Sequence, residues 1–194
     1  MEVTSLDGGF ADAPVEAARA FRAAMRAMAR PGRIEALEGA RPPAPASAAA
    51  GALLLTLCDA ETGVHLAGAH DTRALRDWLA FHTGAPVVPA DKADFALGTW
   101  AALLPLERYA VGTAEYPDRS ATLIVEMGAL AAEGAALSGP GIRGTAELSL
   151  PDAGAMRENA ARFPLGLDFF LTCGGRVAAL PRSTRVEGSA CMSP

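Results

Sequence analysis

Helical and strand-like spacings of apolar residues alternate along this chain. A first helix is predicted from about Asp12 to Arg30, where the following proline disfavours helical backbone in the residue before it. Phe21, Met25 and Met28 recur at helical spacing within this segment. Residues at that spacing share one face of a helix, so these three side chains are expected to face the core.

Two more helices have recognisable ends. Ser47 can cap a second helix that runs to Cys58, and because this segment is apolar on nearly every side it is expected to be buried. Thr72 can cap a third helix that ends near His82, with Gly84 as its terminator.

Short apolar runs between the helices predict strands. These runs are residues 32–37, 64–67, 86–88, 94–97, 122–127 and 135–137, with two more in the last quarter of the chain. Shorter helices are predicted over 101–104 and 152–162. Helices interleaved with strands favour a single α/β domain over residues 1–194, with a mixed sheet, helices on both of its faces and a flexible tail at 188–194.

The composition narrows the class of partner. The 194 residues are 51% apolar and 20% charged, which is typical of a folded protein. A net charge of −5 gives no reason to expect nucleic acid or an anionic membrane as partner. The longest apolar run, residues 48–58, is too short to span a bilayer, and residues 1–5 lack the features of a secretory signal. Three cysteines at unrelated spacings indicate reduced thiols, so a cytoplasmic protein is expected.

The scarcity of lysine excludes one class of chemistry. The seventeen basic residues include a single lysine, Lys92, which lies between Asp91 and Asp94 in a polar turn. Enzymes that form a Schiff base, including those that use pyridoxal phosphate, need a desolvated lysine that can lose its proton. The neighbouring carboxylates favour a hydrated ammonium instead, so no such cofactor is expected, nor is any other.

Metal binding and a catalytic triad have little support. The three histidines His65, His70 and His82 show no ligand spacing and no cysteine pair stands near them, so no metal site is predicted. A triad of Ser183, His82 and Asp168 can be drawn on paper, but no Gly-x-Ser-x-Gly elbow accompanies it.

The best candidates for contact with a ligand or a partner lie late in the chain, with the exception of His82. They are Arg182, Ser183, Thr184, Asp168, Gly139, Gly141 and His82. Segment 182–185 places two guanidinium groups and two hydroxyls at a strand end, where they can bind an anion, meet a partner, or form an exposed loop. The turn at 138–141 can offer backbone amides to an anion or simply end a strand, and Asp168 can cap its own turn or face a cleft.

A row of arginines occupies another face of the first helix. Its members are Arg19, Arg22, Arg26 and Arg30. A basic helix face of this kind is either solvated or bound to an acidic partner or a phosphate.

Several segments resemble the PhnH family of bacterial carbon–phosphorus lyase subunits. Residues 163–168 read Phe-Pro-Leu-Gly-Leu-Asp, followed by Leu-Thr-Cys-Gly at 171–174 and Pro-Arg-Ser-Thr at 181–184. Agreement continues in order at 21–32, 54–57, 81–86, 112–124 and 139–142, so the resemblance covers nearly the whole chain. At 119–120 the chain has Arg119-Ser120 where the family usually has glycine after the acidic residue, which makes a close backbone approach to a ligand less favourable there.

The resemblance implies both a fold and a function. The implied fold is a three-layer α/β/α sandwich related to the transferases that use pyridoxal phosphate, without their lysine. The implied function is a subunit of a cytoplasmic complex for alkylphosphonate use, in which the phosphonate replaces the adenine of ATP to give ribose 1-alkylphosphonate 5-triphosphate. Other core subunits are then its partners, a homodimer is expected for the isolated chain, and much of the chemistry is expected to belong to those partners.

The resemblance leaves two main roles open, and a third role is a weaker alternative. In the first role, the chain is a structural subunit that docks through apolar and arginine-bearing surfaces. In the second, Arg182, Thr184, Asp168 and the turn at 139–141 face nucleotide or phosphonate in a shared site. The absence of an acid–base pair at a recognisable spacing favours the first role. A ligand-binding dimer or transferase that acts independently on a phosphate-bearing molecule is the third alternative.

Overall fold

The computed structural model describes residues 6–187. The predicted tail at 188–194, the first five residues and Cys191 lie outside this range. Within it, no helix is long and apolar enough to cross a membrane.

Five α-helices and nine strands make up the described chain. The helices are α1 (Ala13–Ala29), α2 (Ala48–Leu57), α3 (Arg73–Thr83), α4 (Trp100–Leu103) and α5 (Ala153–Ala160). The strands are β1 (Glu35–Ala36), β2 (Val64–Leu66), β3 (Phe95–Thr99), β4 (Thr122–Glu126), β5 (Ala135–Ser138), β6 (Ala146–Leu148), β7 (Asp168–Cys173), β8 (Arg176–Leu180) and β9 (Arg185–Glu187).

The main sheet is mixed, as the sequence predicted. Its six strands run in the order β1-β8-β7-β4-β3-β2. Strands β2, β3, β4 and β7 are parallel, whereas β8 pairs antiparallel with both β7 and β1. A second, antiparallel sheet has the order β6-β5-β9, and neither β6 nor the pairing of β9 was predicted. The predicted strand at 86–88 was wrong, since this segment forms only a single bridge between Val87 and Val64.

Each face of the main sheet contributes to its own core. Alternate residues such as Ile124 and Phe170 join the core formed with α1, α2 and α3. Their neighbours Leu123 and Phe169 join a second core with α4, α5 and the small sheet. This alternation follows from the two-residue period of side chains along a strand. The described fold is therefore mixed α/β, with a small sheet as well as helices against the second face.

The caps predicted at Ser47 and Thr72 are confirmed. Their side chains accept hydrogen bonds from backbone N–H groups three residues along, at 3.2 and 3.1 Å, and Asp12 caps α1 in the same way at 3.4 Å. Gly84 ends α3 in the left-handed conformation, with φ of 72°.

The predicted core face of α1 was wrong. Phe21 is 49% exposed and Met25 is 52% exposed, while Met28 is only partly buried. The buried face consists instead of Ala20, Ala23, Ala24 and Ala27. Small side chains allow α1 to approach α2 and β8 closely, so alanine forms this contact and the large apolar residues are left on the outer surface.

Candidate functional site

An ion pair joins the start of β7 to the segment that follows the end of β8. Asp168 is the first residue of β7 and Arg182 follows β8, its antiparallel neighbour. Asp168 Oδ1 accepts hydrogen bonds from Arg182 backbone N and Nε at 2.8 and 3.1 Å, and Oδ2 accepts one from Nη2 at 2.5 Å. The Arg182 side chain is only 13% exposed.

The rest of the Arg182 guanidinium binds the turn before β4. Nη1 donates to the Pro117 carbonyl oxygen at 2.5 Å, and Nη2 donates to Ser120 Oγ. Together with Asp168, these acceptors take four of the five N–H groups that a guanidinium carries. The strongest predicted anion contact is therefore bound to the protein itself.

This ion pair lies at the amino-terminal edge of the parallel strands. Asp168 pairs in register with Thr122, the first residue of β4. Open parallel α/β sheets usually bind ligands at the opposite edge, where the strands end. The position favours a role in holding β4, β7 and β8 together.

The turn at 139–141 is packed against protein on two sides. An added Cβ at Gly141 would lie 2.0 Å from the Ala29 carbonyl oxygen, and one at Gly139 would lie 3.2 Å from that of Ser183. Both glycines have positive φ, 129° at Gly139 and 80° at Gly141. The turn therefore docks on the end of α1 and on the segment after β8.

A shallow groove of about 350 Å³ runs beside this turn. Its lining residues, here called the α1 groove, are Met25, Met28, Ala29, Pro140, Gly141, Asp168, Pro181 and Ser183. Among the predicted site residues, Ser183, Asp168 and Gly141 therefore lie together. Thr184, the next residue along the chain from Ser183, is buried, and its backbone N–H binds the Pro181 carbonyl oxygen at 2.9 Å.

His82 belongs to a different part of the fold. Its Nε2 is 2.9 Å from the Leu6 carbonyl oxygen, and its ring packs between those of Trp78 and Phe81, each 5.0 Å away centre to centre. Trp78 Nε1 donates to the Asp7 carbonyl oxygen at 3.1 Å. Thus His82 fastens the start of the described chain to α3, and its hydrogen bond and ring contacts involve neither Ser183 nor Asp168.

The carboxyl edge of the parallel strands holds residues that sequence reasoning missed. Glu126 ends β4, and its Oε1 accepts a hydrogen bond from Ser47 backbone N at 2.7 Å. Glu126 Oε2 accepts one from Thr172 Oγ1 at 3.1 Å. His70, in a short turn after β2, is 2% exposed, and neither of its ring nitrogens has a hydrogen-bond partner among residues 6–187. A carboxylate near the end of the apolar run at 122–127 was the available signal for this cluster.

Two buried groups are held in their neutral forms. Burial lowers the pKa of His70, and the nearby Glu126 carboxylate offsets this effect only in part. Burial raises the pKa of the Cys58 thiol to about 12, so Cys58 does not supply a thiolate nucleophile at neutral pH.

Metal ligation and Schiff-base formation were two further chemistries to look for among the described residues. No three His, Cys, Asp or Glu side chains between Leu6 and Glu187 are grouped as metal ligands. Lys92 is exposed in a short helical turn, as the sequence predicted.

Comparison with known proteins identifies the family. Residues 8–187 match the family model described as "Bacterial phosphonate metabolism protein (PhnH)". The chain belongs to the PhnH family. It is 43% identical to the alpha-D-ribose 1-methylphosphonate 5-triphosphate synthase subunit PhnH of Rhizobium meliloti (strain 1021), over 93% of this chain and 94% of that one. It is also 31% identical to the putative C-P lyase subunit protein HtxG of Stutzerimonas stutzeri, over 92% and 95% of the two chains.

The segment at 163–168, which carried part of the resemblance, is held in place by specific hydrogen bonds. Asn159, the only asparagine in the chain, binds the Leu167 backbone through both ends of its amide, with two hydrogen bonds of 2.8 Å. Gly166 N–H binds the Val111 carbonyl oxygen at 3.0 Å. These contacts fix the backbone that delivers Asp168 to Arg182. Sequence reasoning missed Asn159, although a lone amide just before the family block was a possible signal.

The buried His70 gives a testable dependence on pH. Its pKa is lowered in the fold, so below about pH 6.5 the unfolded chain binds a proton that the folded chain does not. The contribution of neutral His70 to stability is present above that pH and is lost as the pH falls toward the folded-state pKa. We expect the free energy of unfolding of His70→Leu, measured with urea between pH 7.5 and 5, to decline less than that of the unsubstituted chain. The difference in slope is at most about 1.4 kcal/mol per pH unit. Equal slopes would contradict the assignment.

Proposed function

We propose that this chain is the PhnH subunit of a multisubunit carbon–phosphorus lyase complex. In that complex it supports the formation of ribose 1-alkylphosphonate 5-triphosphate from ATP and an alkylphosphonate. The two curated relatives carry the names of a synthase subunit and of a C-P lyase subunit, and each aligns over more than nine-tenths of both chains. Alignment of that extent supports a shared role of the whole chain.

The role within the complex is mainly one of assembly, and the state of Arg182 is the observation that carries this proposal. Arg182 was the strongest candidate for binding phosphate or phosphonate, yet four of its N–H groups are bound to Asp168, Pro117 and Ser120. Binding a triphosphate there would require breaking these contacts. The buried Cys58 thiol and the exposed Lys92 are likewise unsuited to covalent catalysis.

Three finer features belong to the same proposal. The chain forms a homodimer when it is isolated, and it works in the cytoplasm, where its free thiols at Cys58 and Cys173 are kept reduced. Its fold is a variant of the three-layer α/β/α sandwich of the transferases that use pyridoxal phosphate. The mixed sheet with a core on each face supports this kinship.

Native mass measurement tests the function. The full chain is purified alone and then co-expressed with the other core subunits of its own genome. We expect twice the 19.9 kDa chain mass in the first case and a stable larger assembly containing this chain in the second. A chain that purifies well but never joins those subunits would contradict the proposal. It would favour a ligand-binding protein or transferase that acts alone.

A further inference from the structure

Helix α1 presents an apolar stripe to solvent. Pro14, Ala18, Phe21, Met25 and Ala29 are spaced four, three, four and four residues apart, and all five are exposed. Residues at this spacing form one continuous line along a helix, here about 22 Å long. The core side of α1 is made by a separate line of alanines, so the stripe is not required for the packing of this helix.

The α1 groove extends the stripe sideways. Met25 and Ala29 belong to both surfaces, and Pro140 and Pro181 form the far side of the groove. The one charged residue that lines it, Asp168, is already paired with Arg182. Stripe and groove together make a wide apolar surface, and large exposed apolar surfaces of this kind usually mark a protein interface.

An arginine row runs directly beside the stripe. It consists of Arg19, Arg22, Arg26 and Arg30, all exposed and all on the helix flank next to Ala18 and Ala29. Arg26 forms an ion pair with Glu35 at 3.0 Å. The other three have no ion pair within residues 6–187, although the chain as a whole carries a net charge of −5. Glu16 and Glu38 line a groove on this side of α1 together with Arg19 and Arg26, so the four arginines outnumber the carboxylates beside them without forming a purely basic face.

We infer that the stripe, the α1 groove and the arginine row form the docking surface for another subunit of the complex. The partner surface that fits has apolar side chains facing Phe21 and Met25, with a line of carboxylates facing the arginine row. This inference rests on the proposed function. Complementary charge steers and orients such a contact, while the apolar centre supplies most of its affinity.

A second copy of this chain is a poorer occupant of the surface. If two α1 helices packed antiparallel about a two-fold axis, each arginine row would lie opposite its own copy. Like charges placed opposite each other disfavour that arrangement. The charge pattern therefore selects a partner with acidic residues, and the dimer interface of the isolated chain lies elsewhere.

Substitution of the apolar centre tests the surface. The full chain carrying Phe21→Ser and Met25→Ser is titrated against the complex of the other core subunits, with Phe81→Ser as the control. Phe81 is also exposed on a helix, at 64%, but it lies on α3. We expect the double variant to raise the Kd about tenfold or more and the control to change it less than about twofold. Thermal unfolding checks that both variants fold.

Charge reversal tests the second half of the inference. Arg19→Glu with Arg22→Glu is compared with Arg73→Glu, an exposed arginine on α3. For the unsubstituted chain, we expect binding to the complex to weaken as salt is raised. The double reversal should weaken binding at low salt and flatten this salt dependence, whereas Arg73→Glu should retain it.

The outcomes separate this inference from the proposed function. An unsubstituted chain that never joins the other subunits overturns both. If that chain joins and the α1 variants bind equally well, only the docking surface is overturned. Variants that lose self-association but still join the complex also overturn it, because a second copy would then occupy this face.

Discussion

The free energy of unfolding of an Arg182→Ala variant is expected to be about 2–4 kcal/mol lower than that of the unsubstituted chain. The side chain is largely buried and binds a carboxylate, a carbonyl and a hydroxyl. Its removal leaves the Asp168 carboxylate in a partly buried position without its cation, and Asp168 then keeps only the bond from the backbone N–H of residue 182. For a chain of this length, the loss corresponds to a melting temperature lower by roughly 5–15 °C.

Arg185→Ala is the matched control for this prediction. Arg185 is three residues further along, exposed, and without an ion pair in the part of the chain that the structure describes. Its truncation should change stability by about 0.5 kcal/mol or less. Differential scanning calorimetry of the two variants measures the contrast.

The same variant separates the structural role from the ligand-binding role. If Arg182 acts by holding β7, β8 and the turn before β4 together, assembly and phosphonate-dependent activity should fall together. If Arg182→Ala were as stable as Arg185→Ala, joined the complex and lost activity alone, Arg182 would contact the ligand. The assembly role proposed for this region would then be wrong.

Local signals in the sequence were sufficient for most elements of the fold. Asp12, Ser47 and Thr72 each cap a helix within three residues of themselves, so a short window of sequence contains the whole interaction. The run at 122–127 corresponds to β4, in the interior of the sheet. By contrast, β6 has only three residues and its burial pattern shows no clear alternation, so its local sequence carries little strand signal.

The core face of α1 shows where hydrophobicity alone misleads. Phe21 and Met25 have the larger apolar side chains, yet the alanines at 20, 23, 24 and 27 form the core contact. Whether a helix is packed through large or small residues depends on the distance to its neighbours, and the sequence of that helix does not contain this distance. A large apolar residue on the outer side is instead available to another protein.

The contacts of Arg182 could not be predicted from the sequence for a similar reason. Its acceptors come from residues 14, 62 and 65 positions away in sequence. The sequence suggested Arg182 and Asp168 only separately, as candidate contacts near strand ends. The antiparallel pairing of β7 with β8 brings these two residues together. Their side chains then form an ion pair with each other.

A Gly141→Ala variant is expected to lose about 3 kcal/mol or more of stability, compared with roughly 1 kcal/mol for Gly144→Ala. The two glycines have nearly the same positive φ, 80° and 77°, so both substitutions impose a similar backbone strain of about 1 kcal/mol. They differ in surroundings. A Cβ at residue 141 meets the Ala29 carbonyl oxygen at 2.0 Å, whereas a Cβ at residue 144 meets no atom within 4 Å. The difference between the variants in urea unfolding therefore isolates the contact between the turn and the end of α1.

The contact between Gly141 and Ala29 also distinguishes a structural role of the turn at 139–141 from an anion-binding role. If the turn at 139–141 serves to seat α1 beside the α1 groove, Gly141→Ala should displace Ala29 and Met25 and weaken docking to the other subunits, while Gly144→Ala should not. If Gly141→Ala folds with the stability of Gly144→Ala and joins the complex normally, the close approach does not constrain α1. If that variant also lost phosphonate-dependent activity while Gly144→Ala kept it, we would conclude that the turn binds an anion. In that case the added methyl group would act by hindering an anion bound to the backbone of the turn.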